Sequence, residues 1–193
     1  MKKFAVTIVA TLLAISAMAQ DYLTFKGIPI KGSLRTFCQQ LREKGFTQVH
    51  LDENTAFFSG DFTGRDANVG VVSDDDGQNV FCVMVFFESS GEWNDLTNTY
   101  SYYKNIYTRK YGKPDTCVEQ HPAIKYYNSP TNWQLMNELY QGTVTWGTLW
   151  EVDGGEIEIS IERDDVRNRG MVIISYRDEQ NEEIKTQKHL DEI

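Results

Sequence analysis

Hydrophobic residues recur with helical spacing in the first part of the chain. The apolar stripe consists of Leu34, Phe37, Cys38 and Leu41. Ser33 directly before this stripe is a favourable N-cap, and Gly45 after it is a favourable helix end. The pattern predicts a helix followed by three strands, with the sequences TAFFSGDF, ANVGVVS and NVFCVMVFF.

The second part of the chain repeats this plan. Asn94 or Asp95 opens a helix that ends at Gly112, with Pro114 preventing its continuation. The apolar positions of this helix are Leu96, Tyr100, Tyr103 and Tyr107. Three strand-like stretches follow again, with the sequences TVTWGTLW, EIEISIE and GMVIISY.

Two acidic loops occupy equivalent places, between the second and third predicted strands of each half. They read SDDDGQN and ERDDVRNRG. Aspartate, asparagine and glycine suit tight antiparallel connections because they tolerate positive φ and bond to their own backbone. The first loop is also a candidate calcium site, but Gly77 comes too early for an EF-hand loop and a strand begins where the distal glutamate belongs. We therefore interpret both loops as turns.

The alternation within the strands indicates which faces are buried. Ile157, Ile159 and Ile161 point to one side of their strand and glutamates to the other, as in a sheet with one wet face. The stretch Val80–Phe87 is apolar on both sides, which predicts a central strand that is either covered twice or partly open to a partner. The fold class is thus α+β, with two tandem helix–β-meander repeats forming one antiparallel sheet with helices packed on it.

The remaining segments define the domain organisation. We expect one domain over residues 20–178, with repeats at about 23–90 and 91–178. Between the second helix and its strands lies a longer piece with a short helical turn at Trp133–Leu139. Residues 179–193 form a polar tail with weak helical spacing, for which a frayed or solvent-exposed helix is expected.

The first residues resemble a secretory signal. Lys2 and Lys3 precede an apolar run from Phe4 to Ile15, and AMA provides a small-residue cleavage site. Cleavage after residue 19 would leave a chain that begins at Gln20, with no cysteine there for a lipid anchor. We expect an exported bacterial protein that is periplasmic or extracellular. We expect it not to be a lipoprotein and not to be inserted in a membrane after cleavage. The alternative is that the segment is retained as a membrane anchor.

Charge and cysteine content narrow the classes of function. The chain has a net charge of −9 at pH 7, which disfavours nucleic acid and anionic membranes as partners. Cys38 and Cys82 fall on apolar positions, so we expect buried free thiols, while Cys117 follows a helix end and is the most exposed candidate. A disulfide between two of the three stays open. No CxxC spacing indicates a zinc site, and we predict no metal and no cofactor.

The arrangement of two helix-plus-meander units resembles the beta-lactamase inhibitor protein fold, and in particular small exported inhibitor-like proteins of gut bacteria. The resemblance is carried by three segments, LTFKGIPIKGSLRTFCQQLREKGF, YYKNIYTRKYGKP and GGEIEISI. It implies a sheet face available to a protein partner. It does not imply inhibition of a beta-lactamase, because the side chains and disulfides of the inhibitor have no match here.

Catalytic signals are weak. The chain carries no GxSxG, HExxH, Walker or GxGxxG motif, so we predict a non-enzymatic protein. A serine–histidine–acid set assembled across the fold stays open. Glu156, Glu158 and Glu162 project from one strand face, where paired carboxylates would suit a cation or glycoside hydrolysis. A solvated strand face is the commoner explanation.

Aromatic residues supply the candidate binding site. Trp146 and Trp150 are four apart on a predicted strand and point to the same face. With their neighbours, the candidates are Trp133, Trp146, Trp150, Tyr126, Tyr127 and Tyr140. Such rings suit protein hot spots and carbohydrate stacking, or they simply fill the core. The leading hypothesis is a protein-interaction module that uses a sheet face. The alternative is a small-ligand or glycan binder, or a hydrolase, with a site between the two repeats.

Overall fold

The structure, a computed structural model, describes residues 22–122, 124 and 129–191. Its strands are β1 (Thr24–Phe25), β2 (Ile28–Pro29), β3 (Thr47–Leu51), β4 (Thr55–Phe62), β5 (Arg65–Ser73), β6 (Val80–Phe86), β7 (Thr116–Gln120), β8 (Thr145–Val152), β9 (Gly155–Asp164) and β10 (Arg169–Asp178). Its helices are α1 (Leu34–Glu43), α2 (Trp93–Tyr111), α3 (Asn132–Tyr140) and α4 (Glu179–Asp191). The predicted signal segment lies outside the described residues.

Eight strands form one antiparallel sheet in the order β3-β4-β5-β6-β10-β9-β8-β7. At its centre β6 pairs with β10, where Val85 lies opposite Ile174 and Val83 opposite Tyr176. Strands β1 and β2 form a separate short hairpin. The predicted α+β class, with helices and a large antiparallel sheet, is confirmed.

The six predicted strands are present, but the prediction of three strands in each half was wrong. Each half has a fourth strand, β3 or β7, at an outer edge of the sheet. Both are short, and their side chains are exposed at most positions, so neither shows the apolar alternation that marks a half-buried strand. Their pairing with β4 and β8 is set by the sheet and not by their own hydrophobicity.

The helix ends follow local capping with one exception. Ser33 Oγ accepts the Thr36 N–H at 3.3 Å as predicted for α1. Helix α2 begins earlier than predicted, at Trp93, whose N–H donates to Asn132 Oδ1 at 2.7 Å. A residue of α3 thus replaces the missing local cap, which the sequence around position 93 could not reveal. Within the described part of the chain, no helix has the length and apolar composition needed to cross a bilayer.

One face of the sheet, here the helix face, forms the core together with α1, α2, α3 and the β1–β2 hairpin. The strand side chains of this face include Phe58, Val69, Val71, Val83, Val85, Ile157, Ile159, Trp150, Val172 and Ile174, all buried. Hydroxyl groups are paired where aromatic rings enter the core. Tyr100 bonds to Thr148, and Tyr107 bonds to Tyr176. Burial raises the pKa of both Tyr100 and Tyr107, so these hydroxyls stay neutral.

The SDDDGQN loop is a turn between β5 and β6, as predicted, and it is organised by Asp74. Asp74 Oδ1 accepts the N–H groups of Gln78 and Asn79 at 2.7 and 2.9 Å. Its Oδ2 accepts from Asn79 Nδ2 at 2.8 Å and from Lys188 Nζ at 2.7 Å. Burial disfavours the charge, but these bonds outweigh it and hold the pKa of Asp74 well below its ordinary range. The carboxylate of Asp74 therefore stabilises its own loop.

The polar tail is better anchored than a frayed helix. Residues 179–191 form α4, which follows β10 directly and packs against the ends of β6, β9 and β10. Asn181 at its start is buried, and its Nδ2 donates to the Ile30 carbonyl at 2.9 Å. Near its end Lys188 reaches Asp74 in the β5–β6 turn. Two polar anchors, not an apolar stripe, thus hold this helix, which explains its weak sequence signal.

We predict that Asp74→Asn lowers the free energy of unfolding by about 1–3 kcal/mol at neutral pH, because it removes the closer of the two carboxylates paired with Lys188 and weakens the bonds to the N–H groups of the turn. Since the folded-state pKa of Asp74 is lowered, its contribution is present above the ordinary aspartate pKa of about 3.9 and is lost as the pH falls below that value. Urea unfolding at neutral and acidic pH measures both effects. The matched control is Asp66→Asn at an exposed strand position; equal stability of the two variants would contradict this role of Asp74.

Candidate binding surfaces

The two tryptophans of β8 point to the same face, as predicted, and it is the helix face. Trp150 is only 1% exposed, and its Nε1–H donates to the Gly112 carbonyl at 3.1 Å. Thr148 between them is buried as well, while Trp146 is half-buried. Trp150 therefore fills the core and caps the end of α2, so it is not available to a partner.

The other aromatic candidates are scattered. Trp133 is 72% exposed at the start of α3 and has no ring contact with another described aromatic residue. Tyr140 is half-buried at the end of α3, where its carbonyl accepts from Arg163 at 2.7 Å. Tyr126 and Tyr127 lie outside the described residues. The described members of the set do not form one continuous aromatic patch, and binding by this set stays a prediction.

The second face of the sheet, here the open face, carries an apolar patch at its centre. Phe57 is 40% exposed, and the other members, Met84, Phe86, Met171 and Ile173, are half-buried. Strand pairing makes them neighbours, since Phe86 lies opposite Ile173 and Phe57 lies opposite Gly70 beside Met84. Strand β6 is central, as predicted. The apolar residues on both sides of the predicted strand Val80–Phe87 indicated this patch. They did not show whether the second face of the strand is covered or open.

A hollow of about 510 Å³ lies at one end of this patch. Phe57, Phe86 and Met171 line it. Gly70 lies against two of these rings, because a Cβ there would approach Phe86 and Phe57 to 3.1 and 3.4 Å. The β9–β10 turn overhangs the hollow with Val166, which is 92% exposed, and Arg167. An apolar floor with an exposed apolar rim is a shape that accepts a protruding side chain.

An acidic strip continues the open face beyond the patch. As predicted, Glu156, Glu158 and Glu162 share one side of β9, and Glu151 on β8 lies opposite Glu156. Arg177 bonds to Glu156 at 2.7 Å and lies 3.7 Å from Glu158. Burial and the neighbouring carboxylates raise the pKa of Glu158, although Arg177 opposes this effect. Glu151 and Glu162 form no ion pair with any residue in the described ranges, so the strip keeps an excess of negative charge.

A second candidate, here the His121–Trp146 pocket, lies on the helix side of the sheet. The rings of Trp93, His121 and Trp146 are packed with centroids 4.5 to 5.2 Å apart. Beside them is a hollow of about 430 Å³ lined by Glu119, Gln120, His121, Pro122, Ile124, Pro130, Leu135 and Trp146. Sequence reasoning singled out Trp146 but not His121, because the two meet only through the pairing of β7 with β8.

Among the residues that the structure describes, three nitrogen atoms at this pocket are buried without a hydrogen-bond partner, namely both ring nitrogens of His121 and Nε1 of Trp146. Unpaired buried donors and acceptors are uncommon in folded proteins and indicate a missing partner. Burial lowers the pKa of His121, and the nearby Glu138 carboxylate opposes this shift. The imidazole is therefore neutral at pH 7, with one donor and one acceptor nitrogen.

The cysteines carry no evident chemistry. All three are free; Cys38 and Cys82 are buried and Cys117 is exposed, as predicted. Burial raises the pKa of Cys38 and raises that of Cys82 to about 11, which makes both thiols poor nucleophiles. Lys104 Nζ lies 3.1 Å from Cys117 Sγ and 2.6 Å from Glu119, so it ties α2 to the edge strand β7.

We predict that His121 makes the fold acid-sensitive. Because the pKa of His121 is lowered on folding, the folded state favours the neutral imidazole. The contribution of His121 to the stability of the fold is therefore present above the ordinary histidine pKa of about 6.5 and declines as the pH falls below that value. His121→Phe, which needs no proton and keeps a ring in place, should flatten the decline between about pH 7 and about pH 5. Thermal unfolding midpoints across this range test the effect. The exposed control Trp133→Phe, which changes no titratable group, should keep the wild-type slope, and a wild-type slope in His121→Phe would rule the explanation out.

Comparison with protein-family models, with curated proteins and with solved structures finds no match to this chain. The functional conclusion therefore depends on the surfaces described above.

Proposed function

We propose that this chain is a non-enzymatic exported protein, periplasmic or released, that binds another protein through the open face of its sheet. The observation that carries the proposal is the apolar patch around Phe57, Phe86 and Met171, which the described helices leave uncovered at the centre of the sheet. Isolated apolar side chains on a surface are ordinary, but a contiguous patch rimmed by polar residues is typical of an interaction site.

The partner should present a protruding apolar side chain next to basic residues. The hollow beside Phe57 and Phe86 accepts the apolar side chain, because both rings line it. The adjacent acidic strip, with Glu151 and Glu162 outside any ion pair in the described part of the chain, favours lysine or arginine beside it. Charge complementarity of this kind raises association rates and fixes the orientation of the bound partner.

The order of elements supports an inhibitor-like interpretation of the fold. A helix followed by four strands occurs twice along the chain, with α3 inserted in the second half, and the halves join through β6 and β10. This is the arrangement expected of two tandem repeats, and it agrees with the resemblance to the beta-lactamase inhibitor protein fold. In that resemblance the sheet presents a face to a protein, which is the role proposed here for the open face.

We expect a photo-crosslinker on the open face to capture one defined partner. Phe57→p-benzoylphenylalanine places the probe in the patch, and Tyr102→p-benzoylphenylalanine places it on α2 at a matched exposure, 42% against 40%. Crosslinking in the cells that export the protein, followed by mass spectrometry, should give a product from position 57 and none from position 102. With the purified partner, Phe57→Ala should weaken binding at least tenfold, as for a central hot-spot residue.

Two further variants test the shape and the charge of the surface. Gly70→Ala keeps the face apolar but crowds the Phe57 and Phe86 rings that line the hollow, so it should also weaken binding. Glu162→Lys should slow association and reduce its dependence on salt. Tyr102→Ala is the control and should bind like wild type. Equal binding by wild type and Phe57→Ala, with both folded by circular dichroism, would reject the open face as the docking site.

A further inference from the structure

We propose that the His121–Trp146 pocket binds one neutral sugar residue. The site is separate from the open face, because Trp146 projects from the helix side of the sheet and Leu135 belongs to α3. Sugar binding at this pocket can therefore be tested independently of protein docking on the open face. Its ligand class is deduced from the shape of the walls, from the unpaired nitrogens and from the charge balance.

The walls combine apolar surface with a few polar groups. Trp146 and Leu135, with the prolines at positions 122 and 130, offer ring and aliphatic surface. Glu119 and Gln120 add an acceptor and an amide on the same rim. The C–H face of a sugar packs on such rings, while its hydroxyls bond to carboxylate and amide groups. The volume of about 430 Å³ is within the usual range for small-ligand sites.

The unpaired nitrogens require a ligand that both donates and accepts. Trp146 Nε1–H can only donate, whereas neutral His121 has one nitrogen of each kind. A hydroxyl group supplies either role, so a polyhydroxylated ligand matches the hydrogen-bonding capacity of these nitrogens without a change of protonation. His121 is half-buried and lines the hollow, but its ring nitrogens have almost no exposed surface, so a ligand reaches them only after the ring has rotated.

The charge balance of the pocket favours a neutral ligand. Glu119 is the carboxylate on the wall, and it is already paired with Lys104 at 2.6 Å. Within the described ranges no lysine or arginine lines the hollow, so the described walls offer an anion no counter-charge. A cation would have to compete with Lys104 for Glu119. A neutral, hydroxyl-rich ligand needs no counter-charge and does not compete with Lys104 for Glu119.

The indole N–H signals of the protein provide a direct test. Four tryptophans give four indole cross-peaks in a ¹⁵N–¹H spectrum. The peak of Trp146 is assigned by its loss in Trp146→Phe. Glucose, galactose, mannose and N-acetylglucosamine are titrated, each with its methyl glycoside, which mimics the end of a glycan chain. We expect at least one of these sugars to shift the Trp146 peak saturably while the Trp150 peak, held by Gly112, stays in place.

Charged sugars and variants of the protein test the preference for a neutral ligand and the role of His121. Glucuronate and glucosamine should bind at least tenfold more weakly than the best neutral sugar. His121→Phe should weaken binding about tenfold, the equivalent of one lost hydrogen bond, and Trp133→Phe on the exposed start of α3 should have no effect. Binding of both the free sugar and its glycoside would indicate a glycan terminus as ligand; binding of the free form alone would indicate a monosaccharide. The proposal is overturned if no neutral sugar shifts the Trp146 peak, or if a charged relative binds as tightly.

Discussion

The pairing of β6 with β10 is the contact on which the rest of the structure depends. It joins two four-stranded halves into one sheet and places Val83, Val85, Ile174 and Tyr176 at the centre of the core. A sheet of this width has two faces, but α1, α2, α3 and the β1–β2 hairpin all pack on one of them. The opposite face must therefore be polar, be covered by other means, or remain apolar and open.

The molecule uses all three solutions on different parts of that face. On β9 three of the outward positions are glutamates, which water and Arg177 cover. At one end of β6, α4 lies close enough for Glu182 to influence the pKa of Cys82, whose side chain is buried there. Between these regions Met84 and Phe86 remain half-exposed. An apolar centre between a wet strip and a covered end is therefore a consequence of where the helices pack, and it is the surface that a partner would complete.

The sequence predicted the features that depend on local patterns. The helix stripe from Leu34 to Leu41, the six inner strands and both acidic turns follow from periodicity and turn chemistry. It failed where partners distant in the chain decide the outcome. Asn132 caps α2 and Lys188 anchors α4 across the molecule. His121 meets Trp146 only once β7 has paired with β8, and Phe57 could be placed on an open face only once the helices had been placed on the other.

The two acidic turns illustrate how one local structure acquires two roles. Asp164 opens the β9–β10 turn as Asp74 opens the β5–β6 turn, and its Oδ1 accepts the N–H groups of Val166 and Arg167 at 3.1 and 3.2 Å. In both turns a buried carboxylate fixes the loop from within. In the first turn the remaining oxygen binds Lys188 and so holds α4. In the second it binds Arg167, and the ordered turn presents Val166 at the rim of the open-face hollow. The same turn chemistry thus closes one end of the face and shapes the proposed binding surface at the other.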